Sequence, residues 1–272
     1  MRTWSLVAAS ILLGFLSAIV QDVMEGMRTV TVLLAGQSNM AGRGDLALLA
    51  EDELQPDEHI QAFVEGRWTP AREPMHATVD TTKPGGVGPG LFLARRLREL
   101  DVARRVRLVP TAIGGTAIAQ WMPGTPLYDG LVAAVRASGE KPAYMVWFQG
   151  ESDALNDADA RAYSERYAAF EEQLRTDLGV GDAMTVVLVL VQSMRAGIDH
   201  VETVREQQRA VAANARVPML VVDVGADASA IDWQDAGLHL TTGASRQFGR
   251  QLGDVIGAHE IGADSPVASS PR

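Results

Sequence analysis

The chain has 272 residues, of which 47% are hydrophobic, and this is enough for one large α/β domain with a substantial core. A formal net charge of -10 argues against nucleic acid or an anionic membrane surface as the main partner. The absence of cysteine excludes disulfides, a thiolate nucleophile and cysteine metal sites.

The N-terminal segment, residues 1–26, is predicted to be a signal peptide or a membrane anchor. Arg2 precedes a long apolar stretch, as in secretory signals, although residues 18–20 (Ala-Ile-Val) lack the usual small-residue cleavage pattern. Export to the periplasm or the medium is the expectation. Translation from Met24 or Met27 would instead leave the protein in the cytoplasm.

Apolar runs alternate with helical periodicity along the rest of the chain. The predicted strands cover residues 30–35, 106–112, 143–148, 184–191 and 219–223, and a short strand pair is possible around residues 59–63. The predicted helices cover residues 91–100, 127–138, 157–178, 201–215 and 242–256. This alternation predicts an α/β fold with one doubly wound, mostly parallel, five-stranded sheet.

No linker or internal repeat divides the chain, so residues 27–260 are predicted to form one domain. Residues 261–272 are small and polar and are predicted to be a disordered tail. Tyr163, Tyr167 and Phe170 belong to an apolar stripe on one helix, and such a stripe is typical of the core rather than of a cofactor site.

Ser38 follows the first predicted strand, which Gly36 ends. Gln37, Ser38 and Asn39 then fall on a turn at the carboxyl edge of the sheet, where open α/β sheets bind ligands. A serine at this edge is a nucleophile if a base reaches it. His239, just ahead of the last helix, is the candidate base.

Two further loops at the same predicted edge carry candidates for oxyanion binding. The backbone N–H groups of Ser38 and Gly115 and the side-chain amide of Gln149 are suitable donors. Each residue alone has a structural alternative: Gly115 suits a plain turn, while Glu151 and Asp153 are typical of helix-capping or solvated carboxylates. The first loop lacks the lysine of a phosphate-binding loop, which argues against nucleotide binding.

Five motifs stand out along the chain: Gly-Gln-Ser-Asn-Met at 36–40, Gly-Val-Gly-Pro-Gly at 86–90, Ile-Gly-Gly-Thr at 113–116 with Trp121, Gln-Gly-Glu-Ser-Asp at 149–153 and Leu-His-Leu-Thr-Thr at 238–242. Together they resemble the motifs of the SGNH hydrolases, in the branch that contains sialate O-acetylesterases and acetylxylan esterases. The resemblance implies a flavodoxin-like three-layer α/β/α sandwich and ester hydrolysis that needs neither a metal nor another cofactor.

The resemblance also implies roles for individual residues. It makes Ser38 the nucleophile and His239 the base, with Ser38, Gly115 and Gln149 forming the oxyanion hole. Further residues in or beside the matching stretches are expected to support the site or contact substrate: Gln37, Asn39, His76, Trp121 and Glu151.

The acid of the triad is where the chain departs from similar sequences. The acid there lies three residues before the histidine, a position that Ala236 occupies here, whereas Asp235 lies four residues before. Asp235 is predicted to orient His239, because it is the nearest carboxylate in sequence and Gly237 allows the loop to bulge. Asp232, Glu151 or a Ser–His dyad with a backbone carbonyl are the alternatives.

The function that follows is a carbohydrate O-acetylesterase acting on an acetylated carbohydrate substrate. A short-chain lipid esterase or thioesterase is one alternative, and it would require an apolar acyl channel. A non-catalytic glycan-binding protein on a hydrolase fold is the other, and only the position of Asp235 favours it.

Overall fold

The structure is a computed structural model that describes residues 28–76, 78–80, 83–224 and 231–264. The predicted signal peptide or anchor at residues 1–26 lies outside the described residues. No helix within those ranges is both long and apolar enough to span a membrane.

Eleven strands and seven helices follow one another along the described chain. The strands are β1 (Thr29–Gly36), β2 (Ile60–Val64), β3 (Arg67–Pro70), β4 (Thr78–Asp80), β5 (Lys83–Pro84), β6 (Arg105–Pro110), β7 (Tyr144–Phe148), β8 (Thr185–Leu190), β9 (Leu220–Asp223), β10 (Trp233–Gln234) and β11 (His239–Leu240). The helices are α1 (Ser38–Ala41), α2 (Glu51–Leu54), α3 (Gly90–Glu99), α4 (Pro126–Ser138), α5 (Asp157–Leu178), α6 (Val201–Asn214) and α7 (Thr242–Asp264).

Seven of the strands form one central sheet in the order β3-β2-β6-β1-β7-β8-β9. All neighbours are parallel except β2 and β3, which form an antiparallel hairpin. The α/β fold and the five predicted strands are confirmed. β2 and β3 enlarge the sheet from five strands to seven; they are short and half-exposed, so their periodicity is weak.

Helices cover both faces of the sheet and make the fold a three-layer sandwich. The core on one face includes Leu93 of α3 and Phe248 of α7, and the core on the other face includes Tyr163 and Phe170 of α5. The side chains of β1 alternate between these two cores, as the two-residue period of a strand requires. The aromatic stripe of α5 is therefore core, as predicted.

The C-terminal helix is longer than the sequence pattern indicates. α7 continues to Asp264, so residues 261–264, which were assigned to a disordered tail, are helical. Three glycines of α7 lie against α3 or the turn after it, where a Cβ would meet neighbouring atoms at less than 3.0 Å: Gly249, Gly253 and Gly257. This close helix packing stabilises an extension that the small residues alone would not predict.

The parallel strands bring the ends of several loops to one edge of the sheet. β1 is the middle strand of the seven, and β6 and β7 flank it. The loops that follow these three strands carry Ser38, Gly115 and Gln149. Residues far apart in sequence are thereby placed at one carboxyl edge, the usual ligand-binding position in such sheets.

Candidate active site

Ser38 lies at the end of the central strand, as the first residue of α1. The strand ends at Gly36, whose φ is +124° and at which a Cβ would lie 2.1 Å from the carbonyl oxygen of Phe148. Only glycine therefore allows β1 to approach β7 this closely before the chain turns. The turn leaves the Ser38 side chain 3% exposed, at the carboxyl edge.

His239 reaches Ser38 from the short hairpin of β10 and β11, in which Gln234 pairs with His239. Ser38 Oγ and His239 Nε2 lie 3.0 Å apart, although 201 positions separate them in sequence. The imidazole is buried. This distance allows a proton to pass from the hydroxyl to the ring.

Asp235 completes the contact on the other side of the ring. Its Oδ2 lies 2.7 Å from His239 Nδ1, so Nδ1–H donates to the carboxylate and Nε2 is left to accept from Ser38. The backbone of this turn explains why the Asp235 carboxylate reaches the His239 ring. Asp235 and Ala236 have φ of +53° and +57°, and Gly237 has φ of +89°. Three successive left-handed residues bulge the turn and absorb the additional residue.

The two other candidate acids face elsewhere. Asp232 is exposed, and its backbone oxygen accepts from the N–H of Thr241 at 3.2 Å. Glu151 accepts a hydrogen bond from Asn39 at 2.6 Å. The carboxylate at His239 is therefore that of Asp235.

The residues on either side of Ser38 each hold a different loop. Gln37 Oε1 accepts from the backbone N–H groups of Gly150 and Ser152, both at 3.4 Å. Asn39 instead contacts the chain at Leu238 and Leu240, on both sides of His239. Gln37 and Asn39, predicted as supporting residues, thus connect the turn at Ser38 to two other loops of the site.

Two backbone N–H groups are available to bind an oxyanion. Within the described ranges, neither the N–H of Ser38 nor that of Gly115 has a hydrogen-bond acceptor. Gly115 also has open space beside its Cα, because a Cβ there would meet no atom within 4 Å. Each of the two groups could donate to a negatively charged oxygen without losing an internal hydrogen bond.

Trp121 supports the loop that carries Gly115 through a hydrogen bond to Thr116. Its Nε1 donates to Thr116 Oγ1 at 3.0 Å, and Thr116 Oγ1 donates to the Ile113 carbonyl at 2.8 Å. Trp121 is fully buried and packs edge to face on Trp147, with ring centroids 5.6 Å apart. These contacts are those of a residue that supports the loop.

Gln149 is fully buried, and its amide nitrogen contacts three protein acceptors. They are Asp153 Oδ2 at 2.6 Å, the Thr116 carbonyl at 2.8 Å and Gln37 Oε1 at 3.2 Å. An amide has two N–H bonds, so these contacts engage both. Gln149 thereby ties the Gly115 loop to the loop after β7, while its direct donation to an oxyanion stays a prediction.

Asp153 is a site residue that the sequence pattern did not identify, since its type and position are typical of a solvated carboxylate. The structure buries it completely, and its oxygens accept from Ile118 N–H at 3.0 and 3.2 Å as well as from Gln149. Burial raises the pKa of Asp153 to about 6. The sequence signal for its contact with Gln149 was the spacing of four residues between the two positions.

Glu151, predicted as a supporting residue, is also buried and is not the solvated carboxylate of the structural alternative. Burial raises its pKa to about 7. Oε1 accepts from Asn39, whereas Oε2 has no hydrogen-bond partner within the described part of the chain.

His76 lies apart from the contact between Ser38 and His239. Burial lowers its pKa to about 4, and the backbone of Ala41 at the end of α1 partly opposes this shift. It also lines a pocket of about 460 Å³ together with Met75 and Ile113. The effect of Ala41 on its pKa places His76 beside the end of α1.

No group of three or more histidine, aspartate or glutamate side chains in the described ranges is arranged to hold a metal ion. Ser38, His239 and Asp235 are arranged so that the hydroxyl could act as a nucleophile, the imidazole as its base and the carboxylate as the group that orients the ring. The chemistry that this geometry can perform is acyl transfer through a serine hydroxyl.

Comparison with known proteins also indicates an esterase. The sequence model of a family described as carbohydrate esterase, sialic acid-specific acetylesterase, matches residues 29–257. The chain is also similar to a probable carbohydrate esterase of Arabidopsis thaliana. The two are 34% identical over 238 residues, which cover 81% of this chain and 87% of the relative.

Solved structures share the architecture. The X-ray structure of that Arabidopsis thaliana protein has a TM-score of 0.74 at 30% identity and covers 86% of this chain and 98% of its own. NanS has a TM-score of 0.64 at 18% identity, with 87% and 97% of the two chains covered. A carbohydrate acetylesterase from Xanthomonas citri has a TM-score of 0.63 at 22% identity, and the match covers 89% of this chain and 59% of that one. The last two likenesses bear on the fold alone.

Proposed function

The chain belongs to the family of carbohydrate esterases described as sialic acid-specific acetylesterases, and it is thus an ester hydrolase. From this premise we propose that it removes O-acetyl groups from carbohydrates by a Ser-His-Asp mechanism. The observation that carries the proposal is the unbroken contact from Asp235 through His239 to Ser38, with distances of 2.7 and 3.0 Å.

Acylation is the first half of the proposed reaction. Ser38 Oγ attacks the acetyl carbonyl carbon while His239 Nε2 takes the hydroxyl proton, and the carbonyl oxygen becomes an oxyanion. The N–H groups of Ser38 and Gly115 bind that oxygen. Asp235 stabilises the imidazolium, which then gives its proton to the departing sugar oxygen.

Deacylation repeats the same steps with water. His239 Nε2 takes a proton from water, whose oxygen attacks the acetyl group on Ser38. The second oxyanion occupies the same donors and collapses to release acetate, and the proton on His239 returns to Ser38 Oγ. Every proton is transferred through one imidazole, and no redox partner is required.

The alternative of a non-catalytic glycan-binding protein was favoured by the position of Asp235 alone. Asp235 contacts His239 despite that position, so this feature no longer favours the alternative. A lipid esterase or thioesterase would prefer a longer acyl chain than an acetylesterase does. Hydrolysis rates for esters of different chain length therefore distinguish the two functions.

The test is a panel of esters given to the purified protein. It contains O-acetylated sialic acid, acetylated xylan fragments, and p-nitrophenyl acetate, butyrate and octanoate, with release of acid or nitrophenol as the readout. We expect the acetyl esters, and an acetylated sugar among them, to be hydrolysed fastest. Faster turnover of octanoate would favour the lipid esterase, and sugar binding without hydrolysis of any ester would favour the glycan-binding protein.

A further inference from the structure

Asn39 holds the backbone on both sides of His239. Its Oδ1 accepts from the N–H of Leu240 at 3.0 Å, and its Nδ2 donates to the carbonyl of Leu238 at 3.1 Å. A primary amide that spans two successive peptide groups in this way fixes the position of the residue between them. The residue next to Ser38 thus places the backbone of His239.

Glu151 in turn holds the Asn39 amide. Asn39 Nδ2 donates its second hydrogen to Glu151 Oε1 at 2.6 Å, and the glutamate side chain comes from the loop after β7. A hydrogen bond of this length fixes the orientation of the amide, because its geometry is close to ideal for an N–H donor and an oxygen acceptor. Three loops of the site are thereby joined through a single amide group.

The burial of Glu151 is costly for the folded protein. The residue is 2% exposed, and Oε2 has no hydrogen-bond partner among the described residues. A buried carboxyl group with an unpaired oxygen destabilises the fold relative to an apolar side chain of the same size. A role in fixing Asn39 accounts for an acid at this position.

We propose that Glu151 is a positioning residue, which acts through Asn39 to keep His239 at proton-transfer distance from Ser38. The inference rests on the proposed function, because it concerns the same reaction. Glu151 does not contact His239 in place of Asp235, and it is not assigned to the reacting atoms.

The sharpest test compares two variants of equal size. Glu151→Gln keeps an oxygen that can accept from Asn39, whereas Glu151→Met fills the space without an acceptor. We expect Glu151→Met to lower kcat for p-nitrophenyl acetate by about 10- to 100-fold with KM changed less than about 2-fold, since small displacements of a catalytic group have effects of this order. Glu151→Gln should retain most of the wild-type kcat.

A double-mutant cycle tests the route through Asn39. Asn39→Ala should lower kcat as Glu151→Met does, and the double variant should be no worse than Asn39→Ala alone, because both changes remove one connection. Additive losses would overturn the route. Glu172→Ala, an exposed glutamate on α5, is the control and should match the wild type. If Glu151→Met does not fold, Asn39→Ala and Glu151→Gln carry the comparison.

The inference and the proposed function can fail separately. If the wild type hydrolyses acetyl esters and Glu151→Met equals Glu151→Gln, the positioning role is wrong while the function stands. The proton between His239 Nδ1 and Asp235, observed by NMR, gives a readout without substrate. Loss or broadening of that resonance in Glu151→Met, with retention in Glu151→Gln, supports the inference even if no ester in the panel is hydrolysed; an unaltered resonance overturns it.

Discussion

His239 Nδ1 lies 2.7 Å from Asp235 Oδ2 because the turn between them contains consecutive residues with positive φ. The carboxylate itself is about half exposed, at 53%, so the contact depends on the turn and not on enclosure. The same turn is anchored from outside, since the Gly237 carbonyl accepts from the N–H of Met194 at 3.0 Å. Backbone geometry thus compensates for the position of the acid in the sequence.

Asp235→Asn should lower kcat by about three to four decades at neutral pH. The amide no longer holds the ring with its proton on Nδ1, and it does not stabilise the imidazolium. Steady-state kinetics with p-nitrophenyl acetate would measure this, with Asp232→Asn as the matched control in the same segment. A larger loss in Asp232→Asn than in Asp235→Asn would show that Asp235 is not the acid.

Ser38→Ala should abolish hydrolysis while leaving the fold intact, with a fall in kcat of about six decades. The side chain lies at a helix start, and among the described residues its one hydrogen-bond partner is His239. Activity is compared with circular dichroism, and the control is Ser164→Ala on α5, a half-buried serine whose hydroxyl donates to Gln207 of α6. A purified variant that kept a tenth of the wild-type activity would exclude Ser38 as the nucleophile.

Gly237→Ala should impair activity more than an equally strained substitution nearby. Gly237 has φ of +89° and Gly197 has +86°, so alanine costs about 1–2 kcal/mol of backbone strain at either. Only at Gly237 would the Cβ collide, 2.8 Å from Met194 Cβ, whereas at Gly197 it meets nothing within 4 Å. We expect a similar loss of thermal stability from strain in both, but a kcat loss of about 10-fold or more in Gly237→Ala alone. Equal kcat values would indicate that the hairpin tolerates displacement.

Gln149→Ala should lower kcat by about two to three decades. The loss is expected whether the amide meets the oxyanion or positions the Gly115 loop through Thr116, because either way an oxyanion donor is lost or displaced. The kinetic constants for an acetyl ester measure it. A change in KM alone would instead assign Gln149 to ground-state binding of substrate.

The buried Glu151 should make stability fall as the pH rises. Burial raises its pKa in the folded protein from 4.5 to about 7, so between these values the unfolded chain has lost a proton that the folded chain retains. The stability present below pH 4.5 is therefore lost progressively up to about pH 7, and the loss amounts to about 3 kcal/mol at most.

Urea unfolding of wild type and Glu151→Gln at pH 5, 6, 7 and 8 would reveal this loss, because glutamine does not titrate. The stability of the variant relative to the wild type should increase with pH up to about 7 and then level off. Parallel pH curves would contradict the raised pKa of Glu151.

Local pattern was sufficient for much of the fold and for part of the site. The strand from residue 30 to 35 and its terminating glycine placed Ser38 at the sheet edge, and the segment before the last helix indicated His239. These inferences succeed because hydrophobic period and turn residues are properties of a few consecutive positions. The strands β2 and β3 at one end of the sheet carried weaker signals, since both are short and only partly buried.

Tertiary structure alone decided the remaining parts of the site. Chemistry and sequence distance favoured Asp235, but only the left-handed turn brings its carboxylate to the ring. The links from Asn39 to Glu151 and to Leu240 join positions 112 and 201 residues apart. Such contacts depend on how strands and loops pack together, and the desolvation that raises the pKa of Glu151 arises from the same packing. A sequence pattern names the residue types available for these contacts, whereas the packed sheet determines which of them meet.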